Sequence, residues 1–184
     1  PNAFVECDTD IPVVPTDVTL CPGNSTNFTV APDGNGPFTY QWQLSTNNGG
    51  TWTNMQTTPF TGPNGSYSNA GTATLTVTPS TTAWNNYRFR CVITSNLCTT
   101  NSSSATMAVF ATPGEPTLVA GTDAPICPAV TYDLNRLVAG PTPAGSTLRF
   151  YTSSTPSPAT LVADPTQAPA GTYYARYENP GCTG

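Results

Sequence analysis

The amino-acid sequence predicts an all-β protein folded as two small tandem domains, and three observations carry that expectation. Of 184 residues, 34 are Thr, 20 are Pro and 15 are Gly, a mixture that breaks helices and favours strands joined by turns. Short runs of alternating apolar and polar residues recur between turn-forming clusters. The second half repeats landmarks of the first in shortened form. At 37% hydrophobic, 10% aromatic and only 8% charged, the chain has material for buried cores and lacks the charge density of a disordered tail.

In chain order, residues 1–10 contain the apolar pair Phe4-Val5 and precede a first strand at 11–14. Further strands are expected at 27–30, 38–44, 72–78, 87–94 and 105–110. Asp33-Gly34-Asn35-Gly36 and Asn47-Asn48-Gly49-Gly50 supply residues tolerant of positive φ, and both read as hairpin turns. Pro113-Gly114-Glu115-Pro116 then interrupts the pattern. Beyond it, runs at 130–134, 147–151 and 172–177 begin a second series. The expected boundaries are therefore a first domain at 11–112 and a shorter second domain at 113–184.

Composition excludes several functions. With no His, no Lys, five Arg and a net charge of −5, the chain lacks the basic stripe that nucleic acid rewards. Histidine-dependent nucleophilic triads cannot be assembled, and no lysine nucleophile exists. The remaining carboxylates sit largely at turns, where their acidity stays ordinary. A non-catalytic protein without cofactor is expected. No window approaches 18 consecutive apolar residues, and the N-terminus lacks a signal-peptide pattern, so the segment reads as mature or cut from something longer.

Six cysteines occur, with no C-x-x-C spacing and no His beside them, a pattern of disulfides in an oxidising compartment rather than of a zinc site. The internal repeat suggests which ones pair. Leu20-Cys21-Pro22 corresponds to Ile126-Cys127-Pro128, and RFRCVITSNLC ending at Cys98 corresponds to YYARYENPGC ending at Cys182. If the halves share a fold, Cys21 pairs with Cys98 and Cys127 with Cys182. These bridges close loops of about 77 and about 55 positions, each adding about 4 kcal/mol in the chain-entropy account. Cys7 and Cys91 are left over: Cys91 is either a buried free thiol or the partner of Cys7.

Trp42 on one strand and Tyr87-Arg88-Phe89-Arg90-Cys91 on a later one resemble strands C and F of an immunoglobulin-like sandwich. Phe28, not Cys, occupies the strand B position. The segments LCPGNSTNFTV, YQWQLSTNNGGTWTN, ATLTVTPST and YRFRCVITSNLC resemble immunoglobulin-like repeats of large secreted surface proteins of the Bacteroidota. CPAVTYDL, LRFYTSSTPSPATLVA and GTYYARYENPGC are similar to another repeat of those proteins, including gliding adhesins. The resemblance implies type IX secretion, location at a Gram-negative cell surface, and a structural or adhesive role in an adhesin or filament. The rival class is an accessory carbohydrate-binding module of a secreted polysaccharide-degrading enzyme.

Candidate contact residues follow from surface chemistry. Trp52 and Tyr67 are candidates for an aromatic platform on which sugar rings stack, making surface polysaccharide a possible partner class, whereas Trp84 is assigned to the core. Arg88 and Arg90 share one face of a strand and are candidate polar contacts for an acidic glycan or a neighbouring domain. Ser45–Trp52, STNNGGTW, is similar to the S-x-D-x-G-x-T-W box of sialidase-type hairpins, and its expected role is to stabilise a turn. Asp8, Asp10 and Asp17 offer oxygen ligands near the domain entrance but match no calcium loop, so no metal is expected. The N-x-S/T triplets at Asn24, Asn27, Asn64 and Asn101 are attributed to a Thr-rich composition.

Two residues follow Cys182, too few for the strand that follows Cys98 in the first half. The expectation is that the second domain lacks its last strand as written. Residues 1–10 would supply that strand to a preceding copy, so neighbouring copies or domains complete one another in cis, or in trans by strand addition.

Overall fold

The structure, a computed structural model, describes residues 10–34, 36–95, 98–119, 131–179 and 182–183. Residues 1–9, and with them Cys7, Asp8 and the proposed completing strand, lie outside the described residues, as does Cys127. The chain divides into two units, residues 1–111 and 112–184.

In the first unit, alternation along each strand sends one set of side chains inward. The strands are β1 (Val18–Leu20), β2 (Thr26–Thr29), β3 (Phe38–Ser45), β4 (Thr53–Asn54), β5 (Phe60–Gly62), β6 (Gly65–Ser68), β7 (Thr74–Pro79), β8 (Tyr87–Ser95), β9 (Cys98–Asn101) and β10 (Ala105–Val109). One sheet runs β1-β10-β8-β3-β4 with β9 also on β8, and the other runs β2-β7-β6-β5. β1 lies parallel to β10, and the other pairs are antiparallel. This is an immunoglobulin-like sandwich. Phe89, Cys91 and Ile93 of β8 are buried and alternate with Arg88, Arg90 and Val92. Leu75, Val77 and Pro79 of β7 do the same from the other sheet.

Phe28 stacks on Phe89 with centroids 4.9 Å apart and tilts against Trp42 at 6.4 Å. Trp42 is fully buried, and its indole N–H donates to the Thr72 carbonyl at 2.9 Å, so burial strands no polar atom. Trp42 stands directly across from Cys91. With Phe28 on the facing sheet, the space an inter-sheet bridge would span holds stacked aromatic rings, and Cys91 is a buried free thiol.

Several local expectations are corrected. The strands on either side of the Asp33-Gly34-Asn35-Gly36 cluster, β2 and β3, are not a hairpin, because they belong to different sheets. The strand expected at 11–14 reduces to one bridge, Val13 to Ala31. Pro12 and Pro15 flank it without N–H donors, which cuts the ladder short. After Pro15 the chain switches sheets and enters β1. The β5–β6 hairpin went unforeseen, because 60–68 has no alternating apolar run. It is held by Phe60 stacked on Tyr67 at 5.1 Å.

The last strand of the sheet that contains β8 is broken in two at Ser102, between β9 and β10. Its N–H donates to the Cys91 carbonyl at 2.8 Å, while its hydroxyl accepts from the Cys91 N–H at 2.9 Å and donates to the Ser103 carbonyl at 2.7 Å. A side-chain oxygen thus stands in for a ladder carbonyl at the bulge.

The second unit contains β11 (Thr117–Leu118), β12 (Val138–Ala139), β13 (Thr147–Tyr151), β14 (Tyr174–Asn179) and β15 (Cys182–Thr183). β13, β14 and β15 form one sheet, and β11 pairs with β12. The strand expected at 130–134 is not formed over its described part. Tyr132 makes a single bridge to Ala168, and a 3-10 turn follows at Leu134–Leu137. Asp133 caps that turn through the Asn135 N–H, a local bond that competes with a strand ladder. Leu134, Phe150 and Ala168 are the buried centre.

Both units contain a matching antiparallel pair that carries a cysteine. Ser95 pairs with Cys98, and Asn179 pairs with Cys182, so the pairing residues are three apart in sequence in both. Four residues before Ser95 and before Asn179, Cys91 lies opposite Trp42 and Ala175 lies opposite Phe150. The strand sought beyond Cys182 has Cys182–Thr183 as its paired residues on β14. Cys21, Cys98 and Cys182 are each in a disulfide.

Candidate functional site

The outer face of the β8–β3–β4 sheet carries the densest set of functional side chains, and a turn organises it. Ser45 donates its hydroxyl to Asn47 Oδ1 at 3.0 Å and accepts from the Gly49 N–H at 2.9 Å, and Asn47 Oδ1 accepts from the Thr51 N–H at 2.8 Å. Asn48 and Gly49 take φ of 59° and 89°, the left-handed values that suit Asn and Gly. The STNNGGTW segment is therefore a self-bonded turn that fixes where Trp52 emerges.

Across the sheet, Asn54, Gln43 and Arg90 occupy one register row. Gln43 Nε2 donates to Asn54 Oδ1 at 2.8 Å, and Arg90 Nε donates to Gln43 Oε1 at 2.8 Å. The Arg90 guanidinium lies over the Trp52 ring, 4.2 Å from its centroid, a cation–π contact that holds both in place. Arg88 stands in the next row, opposite Ser45. Its Nε is buried and has no hydrogen-bond partner. Among the described residues the ion pairs are Arg136–Asp133 and Arg149–Glu178, so neither Arg88 nor Arg90 is neutralised by a carboxylate.

Trp52 and Tyr67 form no shared platform. Trp52 follows the β3–β4 turn with Arg90 on one ring face, whereas Tyr67 is on the other sheet, stacked on Phe60. Tyr67 instead lines a cleft of about 310 Å³ with Leu44, Met55, Phe60, Trp84 and Tyr87, beside the edge strands β4 and β5. Trp84 is buried, stacked on Tyr87 at 6.0 Å. Sequence reasoning missed Gln43, Asn54 and Phe60. The outward period-two positions of β3 were the available indication for Gln43.

Asp10 accepts from the Ile11 N–H at 2.8 Å and Asp17 from the Thr106 N–H at 2.7 Å, so both carboxylates cap backbone. Among the described residues no group of three acidic, Cys or His side chains is placed to hold a metal ion. Burial pushes the Cys91 thiol up to about 11, which keeps it protonated and unreactive. In the second unit, Arg149 pairs in register with Arg176. Glu178 accepts a short hydrogen bond from the Tyr151 hydroxyl and an ion pair from Arg149 at 3.1 Å. Burial first, then the bond to Glu178, raise the Tyr151 hydroxyl above its ordinary value.

No family model matches the chain, and no curated protein does. Among 882 matching chains of solved structures is the crystal structure of Dpr1 IG1 bound to DIP-eta IG1. It is 15% identical over 56% of this chain and 96% of that chain, with a TM-score of 0.40.

Proposed function

We propose that the chain is a non-catalytic structural and adhesive segment of a secreted bacterial surface adhesin or filament, projecting from a Gram-negative cell as tandem immunoglobulin-like beads. The observation that carries this reading is the repeat of one cysteine-bearing antiparallel pair, Ser95–Cys98 and Asn179–Cys182, in the same register in both units. Bonded cysteines persist in oxidising, extracytoplasmic compartments, and a repeated bead is the unit of an extended stalk. The pairing we propose is Cys21 with Cys98 and Cys127 with Cys182. It braces each bead and leaves Cys91 as a core residue.

Neighbouring domains or copies are the proposed partners, extending the β14–β15 sheet by a strand in cis or in trans. Deleting residues 1–10 from the native protein tests this. Arrays or polymers that form unchanged would contradict strand completion, and loss of end-to-end association with both beads still folded is the expected result. The Tyr67 cleft favours the second reading, an accessory carbohydrate-binding module. That reading requires neutral glycans to bind in titration and Tyr67→Ala to abolish the binding.

A further inference from the structure

We propose that Arg88 and Arg90, with Trp52 beside them, form a binding site for the carboxylate groups of an acidic polysaccharide. The proposal rests on the adhesive reading and supplies what the bead adheres to. Four features of the outer β8–β3–β4 face lead there.

The two guanidinium groups lie on one face, two residues apart, in a chain of net charge −5, yet no carboxylate of the described residues pairs with them. Arg88 Nε is buried without an acceptor. That nitrogen is closed to solvent and is not itself a docking point, but with no carboxylate of the described residues beside it the Arg88 charge stays uncompensated. Arg90 is already positioned: its Nε is committed to Gln43 and its plane is held over Trp52. Its two terminal nitrogens remain for a ligand, in the planar fork that matches a carboxylate.

The fourth feature separates a sugar from a protein ligand. Beside the arginines runs a row of amides, Gln43 and Asn54, bonded to each other and to Arg90, next to an indole ring. Amides that donate and accept suit a ring of hydroxyls, and an indole ring suits the apolar face of a pyranose. An acidic peptide needs the arginines alone. The self-bonded turn at Ser45–Trp52 and the sheet register hold the set in place before any ligand arrives, which lowers the ordering cost of binding.

The test uses the whole chain and three probes of matched length: oligogalacturonate, a neutral oligogalactan and polyglutamate. Titration calorimetry at low ionic strength is expected to show oligogalacturonate binding that weakens as salt rises, with the other two probes bound far more weakly. Arg88→Gln and Arg90→Gln should each reduce the affinity by about tenfold. Arg88→Lys should restore only part, since an ammonium lacks the fork. Unfolding midpoints of the variants check that the sandwich is intact. If Arg88→Gln does not fold, Arg90→Gln decides the question. Absence of oligogalacturonate binding, binding that survives both substitutions, or equal binding of the neutral oligomer would overturn the proposal. Equal binding of polyglutamate would overturn it too, assigning the face to an acidic protein segment. None of these outcomes bears on bead extension under load, which tests the structural reading separately.

Discussion

Ser102→Ala probes the break in the last strand of the first sandwich. The Ser102 hydroxyl is the acceptor for the Cys91 N–H, and Cys91 is fully buried. Alanine leaves that N–H without a partner and without water. An unsatisfied buried donor costs about 1–3 kcal/mol. The second bond lost, to the Ser103 carbonyl, adds little because Ser103 is exposed and water replaces the donor. The expected destabilisation is about 2 kcal/mol, which lowers the melting point of a unit this size by about 8–12 °C. Calorimetry of wild type, Ser102→Ala and the exposed control Ser103→Ala measures it. Amide hydrogen exchange at Cys91 should accelerate more than at Ile93. A Ser102→Ala loss below about 0.5 kcal/mol, the range of ordinary surface substitutions, would refute the view that a side chain completes this ladder.

The Cys91 thiol ionises near 9.0 in an unfolded chain and near 11 in the fold. Between those pH values the unfolded state holds fewer protons, so stability falls as pH rises. Melting curves of wild type and Cys91→Ala from pH 8 to 11 should diverge in slope, and parallel curves would contradict the assignment. A thiol reagent at pH 8 should modify Cys91 only after unfolding, as peptide mapping can read. Gly65 has φ of +154°, and a Cβ there would meet the Thr78 carbonyl at 2.8 Å and Pro79 Cα at 3.0 Å. Gly65→Ala should therefore cost about 2 kcal/mol of first-unit stability, and denaturant titration would show a lower midpoint at unchanged slope.

The parts of the fold legible in the sequence were those written as period-two patterns. β3, β7, β8 and β10 each lie within two residues of an expected run, because Trp42, Leu75, Val77, Phe89, Cys91 and Met107 alternate with polar neighbours. Where local chemistry competed with pattern, reading failed. The Asp33-Gly34-Asn35-Gly36 cluster announces a turn but not whether the next strand stays in the same sheet, which only the facing core decides. Asp133 captures a backbone N–H and turns the chain where apolar residues suggested a strand. At the site, Arg88 and Arg90 were visible as a strand face. The partnership of Arg90 with Gln43 and Trp52 was not, since it depends on the β3–β8 register and on the angle at which the Asn47 turn delivers the indole.

Stretching single molecules of the native chain, first oxidised and then reduced, tests the central claim most directly. Two disulfide-braced beads bearing load predict two unfolding events. Reduction should lengthen one by about 26 nm and the other by about 19 nm, the extended lengths of the loops that the proposed Cys21–Cys98 and Cys127–Cys182 bridges would close. A single unfolding event, or extensions that reductant leaves unchanged, would contradict the account.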